Sequence, residues 1–243
     1  MCGIAGFSYI KPNKKNSKRF FNIEKYLSHR GPENSGFFKN PHLDLIHTRL
    51  SIVDIKGGNQ PIQNKRYVLV VNGEIYNDPE IRKKNQSYKF VTNSDSESIL
   101  ALYERDGIEG LKFLRGMYAF IIYDKKLDEV IIGRDEFGIK PLYFSLMNNG
   151  IVFCSETKPI ISLKESIPDI NVWKLFEYMQ LQYSSGTETL YEGIQRVAPG
   201  QILVIKRGKI IKSFLSSFTQ KKKSINQSES ATSLDKSLRE SVS

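Results

Sequence analysis

The sequence predicts an α+β fold in which β-sheet is stacked on a second layer and flanked by helices, and three observations carry that expectation. Several strand-like runs are apolar throughout rather than alternating, as strands buried on both faces are. Helical segments begin at residues suited to helix N-termini, such as Asp78-Pro79 and Asn171, and lie between the strands. The chain has 243 residues, 40% hydrophobic and 26% charged, enough for one domain with a real core or for one domain and part of a second.

Residues 2–10 read as the first strand and 20–28 as a helix. RYVLVVN at 66–72 is the next strand, followed by a helix over 78–85 with Asp78 as N-cap and Pro79 at the first helical position. A helix over 96–106 has Ser94 or Asp95 as its cap. MYAFIIYD (117–124), DEVIIG (128–133) and GIVFC (150–154) are strands by their β-branched and aromatic content. A helix fits 171–182, and strands return at 201–205 and 209–214 around an Arg207-Gly208 hairpin turn. From Ser213 onward ten of 31 residues are serine, so 215–233 reads as a basic, serine-rich linker. LDKSLRES at 234–241 looks like a helix starting, too short to stand alone, and 234–243 reads as the possible start of a further domain.

Composition removes several function classes. The longest apolar run, MYAFIIY at 117–123, is far below the roughly 18–20 residues of a membrane helix, and the apolar start lacks the basic stretch and cleavage site of a secretory signal. A cytoplasmic protein is expected, without membrane contact. Cys2 and Cys154 are too few for a disulfide framework, and with three histidines no metal is expected. The net charge of +10 hints at nucleic acid, but the bases gather at 11–19, at 82–84 and beyond 205, with no interleaved aromatic stripe. No nucleic-acid partner is expected.

Cys2 directly follows the initiator methionine, and a small second residue normally allows that methionine to be removed. Thiol and free α-amine then share one residue. The two group types titrate within about one pH unit of each other, so the amine can take the thiol proton without a histidine. Read alone, Cys2 is more simply a small residue at a strand start. Asn72-Gly73 alone is a hairpin turn, Arg49 a strand-end cation and Asp95 a helix cap.

The ordered motifs change this. CGIAG (2–6), HRGPENSG (29–36), HTRLSIVD (47–54), NGEIYN (72–77), SDSE (94–97), ALYERDG (101–107), GMYAF (116–120), GRDEFGIKPLYF (133–144), SE (155–156) and TLYEGIQRVAPG (189–200) together resemble the class II glutamine amidotransferases. The wording of RLSIVD and NGEIYN is similar to the glutaminase domain of glutamine-hydrolysing asparagine synthetases, over residues 1–214. The resemblance implies a four-layer αββα N-terminal-nucleophile hydrolase fold, two stacked antiparallel sheets between helices.

It also implies roles. Cys2 is the nucleophile and, once Met1 is gone, its α-amine the base; glutamine is cleaved to glutamate and ammonia through a glutamyl thioester. The Asn72 amide and the Gly73 backbone N–H form the oxyanion hole. Arg49 pairs with the α-carboxylate of L-glutamine and Asp95 with its α-ammonium. Leu50, Ser51, Ile52 and Val53 line the pocket with backbone groups, and Glu74 helps seat the ligand. No cofactor is expected in this domain; ATP and Mg are implied only for a synthetase domain or subunit that uses the ammonia. Its SGGxDS-type loop is absent here, Gly57-Gly58 being the only adjacent glycines. A homodimer stays open.

Three further segments read as structural. His29 to Pro32 is a turn that brings the chain near the nucleophile, with His29 not catalytic. GRDEFG at 133–138 lacks the Gly-Lys-Ser/Thr ending of a phosphate loop and is a turn, and Cys154 is a core residue. Glu33 stands where an aspartate is commoner in the family, and Ser96 at a variable position. The alternative from another class is a non-catalytic glutamine-binding or regulatory module that retains Met1.

Overall fold

The computed structural model describes residues 1–12, 14–55, 57–215 and 227–242. Its strands are β1 (Gly3–Tyr9), β2 (Asn34–Asn40), β3 (Leu43–Arg49), β4 (Ile62–Gln63), β5 (Tyr67–Ile75), β6 (Gly116–Asp124), β7 (Glu129–Arg134), β8 (Tyr143–Met147), β9 (Gly150–Cys154), β10 (Gln195–Arg196), β11 (Gln201–Lys206) and β12 (Lys209–Leu215). The helices are α1 (Lys14–Phe21), α2 (Asp78–Lys84), α3 (Ser98–Asp106), α4 (Thr157–Leu163), α5 (Val172–Leu181) and α6 (Gln227–Val242). One sheet has the order β10-β8-β9-β1-β3-β2 and the other β12-β11-β7-β6-β5-β4. Every pairing is antiparallel.

The continuous apolar runs are explained by what covers each face. Along β5, Val68 and Val70 join Ile4, Leu45 and Ile121 between the two sheets. Leu69 and Val71 alternate with them to pack on the other face with Ile81 of α2 and Ile99 and Leu100 of α3. Ala5 and Phe7 of β1 likewise turn outward to Phe20 of α1 and Ile160 and Leu163 of α4. Three apolar layers between four structural layers make the αββα sandwich. Cys154 belongs to the outer layer of the first sheet, fully buried, its thiol pushed up to about 12 by burial.

Local chemistry sets several boundaries. Asn171 caps α5 by accepting from Lys174 N at 3.1 Å, and Arg207 and Gly208 both take positive φ, 44° and 71°, in the β11–β12 hairpin. Asp78 differs from its expected role: it is the first residue of α2, after Asn77 at the cap, with Pro79 second. Its carboxylate is used sideways instead, accepting from Arg82 Nε at 2.8 Å and from the Ser98 hydroxyl at 2.5 Å, which joins α2 to α3. The helix expected over 20–28 is displaced toward the N-terminus, as α1 followed by a 3₁₀ turn over Asn22–Tyr26. Residues 216–226, with KKK at 221–223, lie outside the described residues, and α6 begins at Gln227 within the segment read as linker.

GRDEFG is a turn built around one carboxylate. Asp135 is fully buried and accepts from the backbone N–H groups of Phe137 (3.1 Å), Ile139 (2.9 Å), Lys140 (3.0 Å) and Tyr118 (3.3 Å). Asp135→Ala leaves these donors unpaired, and the expected loss is about 3 kcal/mol of stability. A urea titration checks it: an unchanged midpoint would show that water replaces the carboxylate.

Candidate active site

Strand periodicity brings the candidate residues to one end of the sandwich. In β3, Leu43 and Leu45 face the second sheet, so His47 and Arg49 follow on the same side; Ile4 of β1 pairs with His47. In β5, Val68 and Val70 face back, and Asn72 and Glu74 continue that face. Cys2, immediately before β1, lies beside the end of β3, with Gly3 paired to Thr48. These side chains border a cavity of about 60 Å³, with Met1 also in its lining. A larger cleft of about 310 Å³ beside Arg19, Leu146 and Lys164 has no cysteine in its lining and none of the motif residues singled out above, so volume does not choose the site.

Cys2 is half-buried. Its Sγ receives the Leu50 N–H at 3.4 Å and lies 3.5 Å from the Leu50 carbonyl oxygen. Its own carbonyl accepts from Arg30 Nε at 3.0 Å, and Arg30 Nη1 and His29 Nε2 both reach Glu156 Oε1 at 2.9 Å. The His29–Pro32 turn therefore holds the backbone of the nucleophile and does not touch its sulfur. Gly31 permits this crossing, since a Cβ there would stand 2.3 Å from the Thr48 carbonyl.

Asn72-Gly73 does not form a turn; β5 runs through it to Ile75, with Asn72 opposite Ala119 and Gly73 opposite Tyr118. The Tyr118 N–H and carbonyl are both engaged by Asp135, at 3.3 and 2.8 Å. Gly73 and Tyr118 are therefore a non-hydrogen-bonded pair, and the Gly73 N–H points away from β6 to the open edge of β5. On that edge Val71 N–H donates to Gln60 Oε1 at 2.6 Å and Ile75 N–H to Asp95 Oδ2 at 2.6 Å. Gly73 N–H lies between two donors that are spent. Asn72 is 1% exposed, and its Nδ2 is buried with no partner. A side chain on residue 73 is excluded by the Met117 carbonyl oxygen, 2.3 Å from a Cβ position.

Arg49, buried, clamps the loop that follows it. Nη1 donates to Asn59 Oδ1 (2.8 Å) and Ile55 O (3.1 Å), and Nη2 to Asp54 O (2.7 Å). Glu33 Oε2 accepts from Ser51 N at 3.2 Å, and bonds from Ser51 hold its carboxyl below the usual range. Asp54 ties the far side, accepting from Gly57 N and Asn93 N at 3.0 Å each. Leu50, Ile52 and Val53 line the cavity, while Ser51 does not. Asp95 and Glu74 border it too; burial, together with nearby Asp78 and Glu74, raises the Asp95 carboxyl above its ordinary value.

The cavity also has walls to which the resemblance assigns no role: His47 and Lys140, within HTRLSIVD and GRDEFGIKPLYF, and Gln60. His47 is two residues before Arg49 on one strand, so period two alone places it on the same face. Gln60 and Lys140 arrive on loops and carried no such signal.

Residues 1–217 match the model of the glutamine amidotransferase domain family. The chain is 36% identical over 214 residues to asparagine synthetase [glutamine-hydrolyzing] 1 of Bacillus subtilis (strain 168), covering 85% of this chain and 34% of that protein. It is 41% identical over 174 residues to asparagine synthetase B [glutamine-hydrolyzing] of Escherichia coli (strain K12), covering 70% and 31%. The chain thus spans about a third of the length of these relatives. The solved structure of glutamine phosphoribosylpyrophosphate amidotransferase from B. subtilis, complexed with ADP and GMP, superposes with a TM-score of 0.62 at 21% identity, over 90% of this chain and 50% of that one, a likeness of fold. With the family model matched over nearly all of the sandwich, the chain belongs to the glutamine amidotransferase domain family and is similar, within it, to the glutaminase domains of asparagine synthetases.

Proposed function

We propose that Cys2, freed of Met1, hydrolyses L-glutamine to glutamate and ammonia. The α-amine takes the thiol proton, Sγ attacks the side-chain carbonyl carbon, and the proton passes to the leaving nitrogen as the C–N bond breaks. Water then cleaves the thioester. The observation that carries this reading is the pair of unspent donors, Asn72 Nδ2 and Gly73 N–H, in the cavity that Cys2 borders. Donors fixed in advance where an oxyanion develops need no reorganisation during reaction. Glutamate release by the processed chain, with intact mass reporting the loss of Met1, tests it; a processed chain that binds glutamine without releasing glutamate would overturn it.

Arg49 and Asp95 hold the two ends of the amino-acid zwitterion, with the Leu50 to Val53 backbone and Glu74 beside them. Arg49 then serves both the α-carboxylate and the loop it clamps. The raised Asp95 carboxyl fixes a pH dependence. As pH falls through that raised value the carboxylate gains a proton, loses its attraction for the ammonium, and KM rises at a higher pH than an ordinary aspartate produces. Asp95→Asn raises KM at neutral pH roughly 10- to 100-fold, the worth of one charge-assisted contact, and removes this acid rise. KM profiles of both forms check it; an acid rise that persists in Asp95→Asn assigns it to another group.

The ammonia passes to a carboxylate activated by ATP and Mg in a synthetase domain or subunit, as the names of the relatives suggest. No cofactor serves the glutaminase step. A cytoplasmic setting is part of the proposal, resting on the sparse cysteines, and among the described residues no helix is long and apolar enough to cross a membrane. The second reading, a glutamine-binding module with Met1 retained, draws on Met1 at the cavity edge, 54% exposed. In that form Cys2 has no free amine, and intact mass separates the two readings.

A further inference from the structure

His47 is a buried ring in the active-site wall that the mechanism above does not use. It is 1% exposed, and its Nε2 lies 3.2 Å from the Val71 carbonyl oxygen, which can only accept. The hydrogen is therefore on Nε2, and Nδ1 presents a lone pair. Nδ1 is buried without a partner. Burial keeps the ring neutral, its pKa pushed down to about 3, so this lone pair persists across the working pH range.

Among the described residues that line the cavity, two carry a buried side-chain atom without a partner, and their polarities are opposite: a donor, Asn72 Nδ2, and an acceptor, His47 Nδ1. A primary carboxamide is the complement of that pair, with one acceptor oxygen and one N–H₂ donor. A carboxylate offers acceptors only, and an ester offers no hydrogen on its leaving oxygen. We propose that His47 is a specificity residue whose Nδ1 accepts a hydrogen bond from the leaving N–H₂ group of the substrate, so that the site prefers a primary amide to an ester or an acid. This rests on the glutaminase reading. The bond adds no proton transfer: the nitrogen keeps its hydrogens at His47 while its lone pair takes the proton from the Cys2 amine. Glutamate, with an oxygen where the amide nitrogen was, sets a lone pair against the lone pair of His47 Nδ1 and is released.

The test compares L-glutamine with the γ-methyl ester of L-glutamate, both yielding glutamate, on the full chain with Met1 removal verified by mass. His47→Gln retains an amide N–H near the Nε2 position for Val71 and has no acceptor at the Nδ1 position. It is expected to lower kcat/KM for glutamine roughly tenfold while changing ester hydrolysis by less than about threefold. His47→Asn places an acceptor oxygen near the Nδ1 position and lacks the Val71 tie, and is expected to keep the wild-type amide-to-ester ratio. A parallel fall on both substrates in His47→Gln, no fall on either, or a collapsed ratio in His47→Asn overturns the assignment. Wild type inactive on both substrates overturns the glutaminase reading with it.

Discussion

Cys2→Ala abolishes glutamate release, by about 10⁴-fold or more, and leaves the fold in place. The loss is that of a covalent nucleophile: without Sγ no thioester forms, and the oxyanion donors alone give only a small residual rate over water. The fold survives because the chain at residue 2 is held by its backbone, not its side chain. The Cys2 carbonyl is gripped by Arg30 at 3.0 Å and Gly3 is paired to Thr48, neither of which needs sulfur. The thiol itself makes only weak contacts with Leu50, at 3.4 and 3.5 Å. Glutamate measured in both proteins after Met1 removal, with denaturant midpoints alongside, decides the matter. Equal release by the two would end the Cys2 mechanism, and a collapsed midpoint would give the residue a structural role instead.

The sheets were legible where their strands are apolar on both faces, as in β5 to β7, β9 and β11. β3 escaped for an instructive reason. Its sequence, LDLIHTR, is over half polar, yet all seven residues are buried. Each polar side chain finds a partner outside the strand: Asp44 the Tyr9 hydroxyl at 2.7 Å, His47 through Nε2 the Val71 carbonyl at 3.2 Å, Thr48 the Leu27 carbonyl at 3.0 Å and Arg49 the carbonyls of the loop that follows, while Asp44 Oδ1 and His47 Nδ1 stay without one. Hydropathy reads such residues as surface because burial costs them only when unpaired, and the partners are fixed by the tertiary fold. β8 and α4 were missed similarly, being short elements stabilised by their neighbours.

For the site, the motifs contain most of the residues that border the cavity but do not show what holds them there. Arg30 lies within a quoted motif, yet its grip on the Cys2 carbonyl depends on a turn crossing β3 beside Gly31. Read alone, Arg49 is a strand-end cation, and a carboxylate partner for it is implied only by the resemblance; its part as the clamp of residues 53–59 is not legible at all, because most of its acceptors are backbone carbonyls that any sequence supplies. Asn72-Gly73 shows the converse. A local rule favours a turn, and the strand prevails because its pairing with β6 runs on through Asn72 and Gly73 to Ile75, beyond the reach of the two-residue β4, which leaves the Gly73 N–H at the edge.

That leftover pair yields the second large effect. Asn72→Ala lowers kcat for glutamine about 10²- to 10³-fold, the usual consequence of removing one oxyanion donor, while KM changes little. Stability moves the other way. A buried amide N–H without a partner costs the folded state about 1–3 kcal/mol, and alanine removes that cost; the volume it vacates opens into the cavity instead of creating a sealed void. The variant is therefore expected to unfold at a denaturant midpoint no lower than wild type. A donor retained at such a cost makes sense only if its partner arrives with the reaction, so the two measurements must be read together. If Asn72→Ala is destabilised and slow in proportion, the side chain is a strut of β5 and the Gly73 N–H stands alone. If it is stable and slow, the unsatisfied hydrogen bond of the resting protein is the one completed in the transition state.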